Sequence, residues 1–303
     1  MIDWKKISGE LRLACPRLRL LEDEPLAKHT SFRIGGPAAL LALPSSEQEL
    51  AALLRCAGAL GVETRLLGAG TNVLAPDEGV AALVICTRDA LMGLKDLGGG
   101  RIEAYAGQTL ARSAVFAREL GLAGLEFAHG IPGTVGGGVY MNAGAYGGEM
   151  KQVCQQTSVL TMAGESQAFS GEAQAFSYRE SAFSAMDAVI VKTVFQLTPG
   201  RPEDITARMQ ELMEKRRASQ PLELPSAGST FKRPVGAYAG ALIEQAGLKG
   251  TRVGGACVSE KHAGFVVNTG GATAREVRAL IALVQKRVYE TSGFTLTPEV
   301  RIW

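Results

Sequence analysis

The chain has 303 residues, 46% of them hydrophobic, which is ample for two or three folded cores and excludes a disordered chain. Its 32 basic and 30 acidic residues leave a formal charge of +2, so there is no strong overall field to attract a polyanion such as a nucleic acid. Five cysteines (Cys15, Cys56, Cys86, Cys154, Cys257) lie far apart without a Cys-x-x-Cys pair, and read as small buried thiols in a reducing compartment rather than a metal site or disulfide framework.

Residues 1–15 are charged throughout and lack the apolar core of a signal peptide. The longest apolar runs, such as 80–86 and 188–191, are too short to span a bilayer. A cytoplasmic protein without membrane insertion is expected. Residues 39–43 then read as a strand, and a helix starts near 46 behind a Ser46-Glu47-Gln48-Glu49 capping box, with Leu50, Leu53 and Leu54 on one face. Strands at 64–67 and 81–86 complete a small βαβ-like unit. A second block, to about 199, reads as strands (101–106, 156–161, 188–197) with glycine-rich turns and one helix, 109–120, stopped by Gly121. In the third block Pro202 opens a helix over 203–218 with Ile205, Met209, Leu212 and Met213 inward. Further helices are expected at 238–246, ended by Gly247, and from the Thr273–Glu276 capping box, with Val277, Leu280, Ile281, Val284 and Val288 on one face. Residues 264–268 read as a strand, and 295–302 as a strand returning to the second block.

Glycine, at 37 residues, is the compositional outlier. The loop Gly68-Ala-Gly-Thr-Asn72 follows a strand but fails as Gly-x-Gly-x-x-Gly, because Val73 holds the third glycine position. It reads equally as a plain turn or as a turn whose main-chain amides face an anion, with Thr71 and Asn72 as side-chain donors. The run His129–Gly148 is denser, carrying Gly130, Gly133, Gly136, Gly137, Gly138, Gly144, Gly147 and Gly148. Backbone this bare can wrap a long ligand and offer successive amides to it, and two such loops favour a dinucleotide cofactor over close-packed turns. The three histidines, His29, His129 and His262, are widely separated and point to no metal site.

These loops belong to a larger ordered set: His29-Thr-Ser-Phe-Arg-Ile-Gly-Gly-Pro37, Leu67-Gly-Ala-Gly-Thr-Asn-Val-Leu74, Gly130-Ile-Pro-Gly-Thr-Val-Gly-Gly137 with Asn142-Ala-Gly144, Tyr178-Arg-Glu-Ser181, Ala227-Gly-Ser-Thr-Phe-Lys-Arg-Pro234 and Leu296-Thr-Pro-Glu-Val-Arg301. In this order, over residues 29–301, they resemble the UDP-N-acetylenolpyruvoylglucosamine reductase family (MurB), and the short tail after Glu299 resembles its compact, type II form. The resemblance implies an α+β fold: a two-subdomain FAD-binding region of the vanillyl-alcohol-oxidase (PCMH) type, 1–85 and 86–199 joined by 294–303, and an α+β substrate-binding domain, 200–293. It implies FAD as cofactor, NADPH as co-substrate and a nucleotide-sugar substrate; a monomer is the working expectation.

Residue by residue, the resemblance implies catalysis by Arg179, Ser229 and Glu299. A bidentate guanidinium suits a carboxylate conjugated to an enol ether. Ser229 is the implied proton donor, and Glu299 shares the enolate end. Cofactor contacts are implied for Arg33, Gly68, Ala69, Gly70, Thr71, Asn72, His129, Gly130, Ile131, Pro132, Gly133, Thr134, Gly136, Gly137, Asn142, Ala143, Gly144, Arg217 and Arg301, and substrate contacts for Lys232, Arg233, Tyr238 and Lys261, with Tyr146 and Asn268 as further candidates. The chain departs from the family at Arg233, where the motif has asparagine; a guanidinium there suits a phosphate. Two other functions are weighed. An oxygen-using alcohol or sugar oxidase needs a base for a substrate hydroxyl, which this set does not supply. A non-catalytic binding protein predicts loss of one of the three catalytic residues, and all three are present.

Overall fold

A computed structural model describes residues 2–303. Its contacts divide the chain into two compact units. The first comprises residues 1–23, 39–69 and 81–215; the second comprises 24–38, 70–80 and 216–303.

The first unit opens with helix α1 (Trp4–Ala14), capped by the Asp3 carboxylate and burying Ile7 and Leu11. It was not expected, because its apolar residues are few among charges; the four-residue spacing of Ile7 and Leu11 is enough for one buried stripe. Four strands follow the spatial order Arg19–Pro25, Pro37–Leu43, Val80–Cys86, Thr64–Leu67, and the last two pair in parallel. Pro37–Leu43 and Val80–Cys86 are apolar and largely buried. Helix α2 (Glu47–Ala59) is capped by Ser46, whose hydroxyl accepts from Glu49 N–H. The expected reciprocal half of the capping box is displaced by one residue: Glu49 Oε2 accepts from the Ser45 amide at 2.7 Å.

The same unit holds a five-stranded antiparallel sheet in the order Ser166–Ser170, Cys154–Thr161, Ala188–Gln196, Arg101–Tyr105, Leu94–Gly98. Helix α3 (Leu110–Glu119) starts at its Thr109 cap, and Gly121 lies beyond it at φ 65°. Two short helices then replace the expected glycine-rich turns: α4 (Glu126–His129) and α5 (Val135–Tyr140). Three consecutive glycines in α5 have poor helix propensity, each roughly 1 kcal/mol worse than alanine. Packing accounts for the helix. A Cβ at Gly136 would stand 2.9 Å from the Ala106 Cβ, and one at Gly138 3.1 Å from Leu110, while Val135 and Val139 are fully buried. Glycine there permits helix–sheet contact.

Helix α6 (Pro202–Ser219) buries Ile205, Met209 and Leu212, three of the four residues expected inward, with Met213 half-buried; but this face packs into the core of the first unit rather than the block 200–293 expected for it. In the second unit α7 (Ala239–Gln245) and α8 (Ala274–Ser292) share a core with the antiparallel strands Arg252–Val253, Ala256–Val258 and Val266–Asn268. The Thr273–Glu276 capping box is complete, and all five apolar residues expected inward on α8 are buried. The tail differs from expectation. Only Arg301–Ile302 is strand; it runs parallel to Val73–Leu74 in the second unit rather than joining the block 86–199. Leu296 and Val300 anchor it by burying in that unit's core.

Candidate active site

The loop after strand Thr64–Leu67 is open at its amides. Among the described residues the main-chain N–H groups of Gly68, Ala69, Gly70 and Thr71 meet no protein acceptor. Gly68 lies so close to Thr134 that a Cβ would stand 2.7 Å from the Thr134 hydroxyl, and a Cβ on Gly70, at φ 61°, would strike the His29 carbonyl. Both positions therefore require glycine. The Asn72 side-chain amide donates to the Glu299 carbonyl at 3.2 Å, and its main-chain carbonyl accepts from Arg301 N–H at 2.9 Å. It ties down the tail that carries Glu299. Arg33, exposed and at φ 56°, closes a turn on the Thr30 carbonyl.

The run from His129 to Gly144 does not offer the row of bare amides that its composition suggests. The amides of Val135, Gly136 and Gly138 donate to Gln108, Ala106 and Thr134 carbonyls, and that of Gly137 to the buried Thr134 hydroxyl. Gly130 and Ile131 donate to Ala128, and Ala143 to Gly138. These donors are thus spent on protein oxygens, some within α5 and some on Ala106 and Gln108 beside it. The group left over is His129 Nδ1, buried and without a hydrogen-bond partner. Burial first, and the Arg118 cation second, push the His129 pKa down, so the ring is neutral near pH 7 and offers one donor and one acceptor. An orphaned imidazole nitrogen and the free amides of Gly68 and Ala69, in a unit whose glycines exclude side chains, fit a polar, hydrogen-bonding ligand such as a flavin dinucleotide.

Ser229 and Glu299 are neighbours along the main chain ladder of the second unit. Gly228, at φ 73°, turns the chain into half-buried Ser229, whose hydroxyl engages no protein group among the described residues. Thr230 is the hub that follows. Its amide donates to Gly264 O (2.8 Å), its carbonyl accepts from Glu299 N–H (2.8 Å), and its hydroxyl accepts from Val266 N–H (3.0 Å). Lys232 N–H donating to Thr297 O continues the pairing. Thr230 was not singled out from the sequence; its partners lie 34 to 69 residues away and leave no local signal.

Arg179, in the first unit, sits at φ 59° on a turn closed by mutual main-chain hydrogen bonds between Ser177 and Glu180. Its guanidinium lies over the Tyr178 ring, 5.2 Å from the centroid, and Nη2 donates to Gly144 O at 3.4 Å. Among the other candidates, Arg233 stacks on Tyr238, its guanidinium carbon 3.9 Å from the ring centroid. Lys261 Nζ donates to the Arg217 carbonyl at 2.6 Å, which caps the last turn of α6. Asn268 is spent on the Phe32 carbonyl and the Gly270 and Ala272 amides, so it shapes the second unit's interior.

The family profile described as FAD binding domain matches residues 38–170, and that described as UDP-N-acetylenolpyruvoylglucosamine reductase, C-terminal domain, matches residues 220–303. The UDP-N-acetylenolpyruvoylglucosamine reductase of Syntrophomonas wolfei is 44% identical over 95% of this chain and 96% of its own length. The crystal structure of the enzyme of that name from Thermus caldophilus covers 95% of this chain and 99% of its own, at 35% identity and a TM-score of 0.80. The glucooligosaccharide oxidase of Acremonium strictum, 14% identical with a TM-score of 0.50 over 96% of this chain and 60% of its own, shares the fold alone. The α+β architecture with a vanillyl-alcohol-oxidase-type FAD-binding region agrees with these likenesses. The chain belongs to the UDP-N-acetylenolpyruvoylglucosamine reductase family and is an oxidoreductase built on an FAD-binding domain.

Proposed function

We propose that this enzyme reduces UDP-N-acetylglucosamine enolpyruvate to UDP-N-acetylmuramate in the cytoplasm, with NADPH as reductant, as a step of peptidoglycan precursor synthesis. The observation that carries the proposal is the half-buried Ser229 hydroxyl, engaged by no protein group among the described residues and held beside the Glu299 segment by the Thr230 hydrogen bonds.

Bound FAD would supply the hydride for the β-carbon of the enol ether, replenished from NADPH. Addition of hydride there leaves negative charge on the α-carbon and its carboxylate. Arg179 answers that charge, because its planar fork binds both carboxylate oxygens and stays cationic. Ser229 delivers the proton to the α-carbon. A hydroxyl is a weak acid, but an enolate carbon is strongly basic and the geometry is intramolecular. The resulting alkoxide regains a proton from solvent, so the sum is one hydride and one proton added across the double bond. Glu299 serves the enolate end as an acid or through a water, since a bare carboxylate beside an enolate would repel it. The Gly68 and Ala69 amides and His129 Nδ1, which meet no protein partner among the described residues, would help to hold the cofactor. Arg233, stacked on Tyr238, would carry a cation toward a phosphate of the nucleotide sugar.

The test is spectroscopic. The purified protein should carry flavin absorbance, bleach with NADPH under anaerobic conditions, and recover colour on adding the enolpyruvyl sugar nucleotide. Recovery in air but not with the sugar would overturn the reading in favour of an oxidase.

A further inference from the structure

The resemblance places Asn142 among the cofactor contacts, but its side chain is 1% exposed and its polar atoms are already engaged. Nδ2 donates to the Ser177 carbonyl at 2.8 Å and to Glu149 Oε2 at 3.2 Å, while Oδ1 accepts from Lys151 N–H at 2.9 Å. We infer that Asn142 is a positioning residue for Arg179: its carboxamide clamps the strained turn 177–180 to the hairpin that receives the guanidinium.

Three observations support this within the first unit. The turn is a two-residue corner in which Ser177 N–H donates to Glu180 O (3.0 Å) and Glu180 N–H to Ser177 O (3.3 Å). Arg179 occupies its second corner position at φ 59°, where glycine or asparagine is the usual residue. A non-glycine residue persists there only when its surroundings over-determine it. The carbonyl that Asn142 grips is the same Ser177 oxygen that closes the corner. The other contact of Asn142, Glu149, pairs with Gly144 in the hairpin Gly144–Ala145/Gly148–Glu149, and Gly144 O is where Arg179 Nη2 donates. Asn142 therefore holds both the backbone that launches Arg179 and the strand that catches its tip. The descending side of the turn is fixed separately, by Ser181 Oγ donating to Tyr140 O at 2.8 Å. Asn142 is itself at φ 41°, a conformation asparagine tolerates better than most residues, which explains why an amide of this length can stand there.

The inference rests on the role proposed above for Arg179. The experiment measures the two half-reactions of the holoenzyme, flavin reduction by NADPH and reoxidation by the enolpyruvyl sugar nucleotide, in Asn142→Gly, Arg179→Ala and the double variant. Glycine accepts the positive φ, so Asn142→Gly removes the carboxamide without adding backbone strain. Reoxidation should fall about 100-fold, the scale of a misplacement near 1 Å, with NADPH reduction changed far less. In the Arg179→Ala background the same change should cost nothing further. Asn142→Asp, which keeps the acceptor for Lys151 but sets a carboxylate against Glu149, should lose at least as much as Asn142→Gly and serves if that variant fails to fold. Additive losses in the double variant, or full reoxidation in Asn142→Gly, would overturn the inference. If Arg179→Ala alone leaves reoxidation intact, the catalytic reading of Arg179 fails instead. The clamp is then judged by amide hydrogen exchange at Glu180, which should accelerate in Asn142→Gly; unchanged exchange would sink it.

Discussion

In the second unit the segment bearing Ser229 is set by main-chain pairing, with residues 230 and 232 bonded to 299 and 297 and Thr230 anchored again on Gly264 and Val266. In the first unit Arg179 sits on a two-residue corner at positive φ, held from the side by one asparagine carboxamide and one serine hydroxyl. A ladder places its residues through groups that every amino acid carries. A strained corner relies on particular side chains. The difference teaches that the position of Ser229 is insensitive to most neighbouring substitutions, whereas the position of the Arg179 guanidinium depends on particular side chains around its turn.

The largest effect expected is from Ser229→Ala. Because the ladder stays intact, only the proton is missing, and reoxidation by the enolpyruvyl sugar should slow on the order of 10³-fold. NADPH reduction should be nearly unchanged in stopped-flow absorbance; equal slowing of both steps would show that Ser229 supports the cofactor instead. Next comes Arg179→Lys. A point charge cannot reproduce the fork or its stacking on Tyr178, so reoxidation should drop roughly 100-fold. Near-normal turnover would remove Arg179 from the mechanism. The smallest effect sharpens the ladder side of the comparison. Thr230→Val keeps the shape but deletes the acceptor of the Val266 amide, leaving a buried donor unpaired at a cost of about 2 kcal/mol in stability. Thermal unfolding should register that loss while turnover at a permissive temperature falls little, and an unchanged midpoint would show that the Thr230 hydroxyl does not hold the hub.

Much of the architecture was legible because it is encoded locally. The capping box at Thr273, the apolar stripe of α8 and the Thr109 cap of α3 each need only a few consecutive residues. Helix α5 was hidden, since Gly136, Gly137 and Gly138 read as a loop when propensity is the only guide, and their contact with Ala106 and Leu110 is non-local. Asn72, Asn142 and Asn268 were all read as candidates for ligand contact; a carboxamide advertises hydrogen-bonding capacity but not its partner, and each of the three bonds to protein. The tail was misplaced for a related reason: its alternation looked like a strand, but burial of Leu296 and Val300 decided where it lies.

What the sequence by itself determined was most of the elements with their caps and the ordered motifs that carry the family likeness. What only the tertiary structure decided was which polar groups are already spent: the α5 amides internally bonded, the Gly68 and Ala69 amides open, His129 Nδ1 left over. Helix periods and φ preferences are properties of a few adjacent residues, whereas the acceptor that an amide finds can lie dozens of residues away and is chosen by how the cores pack.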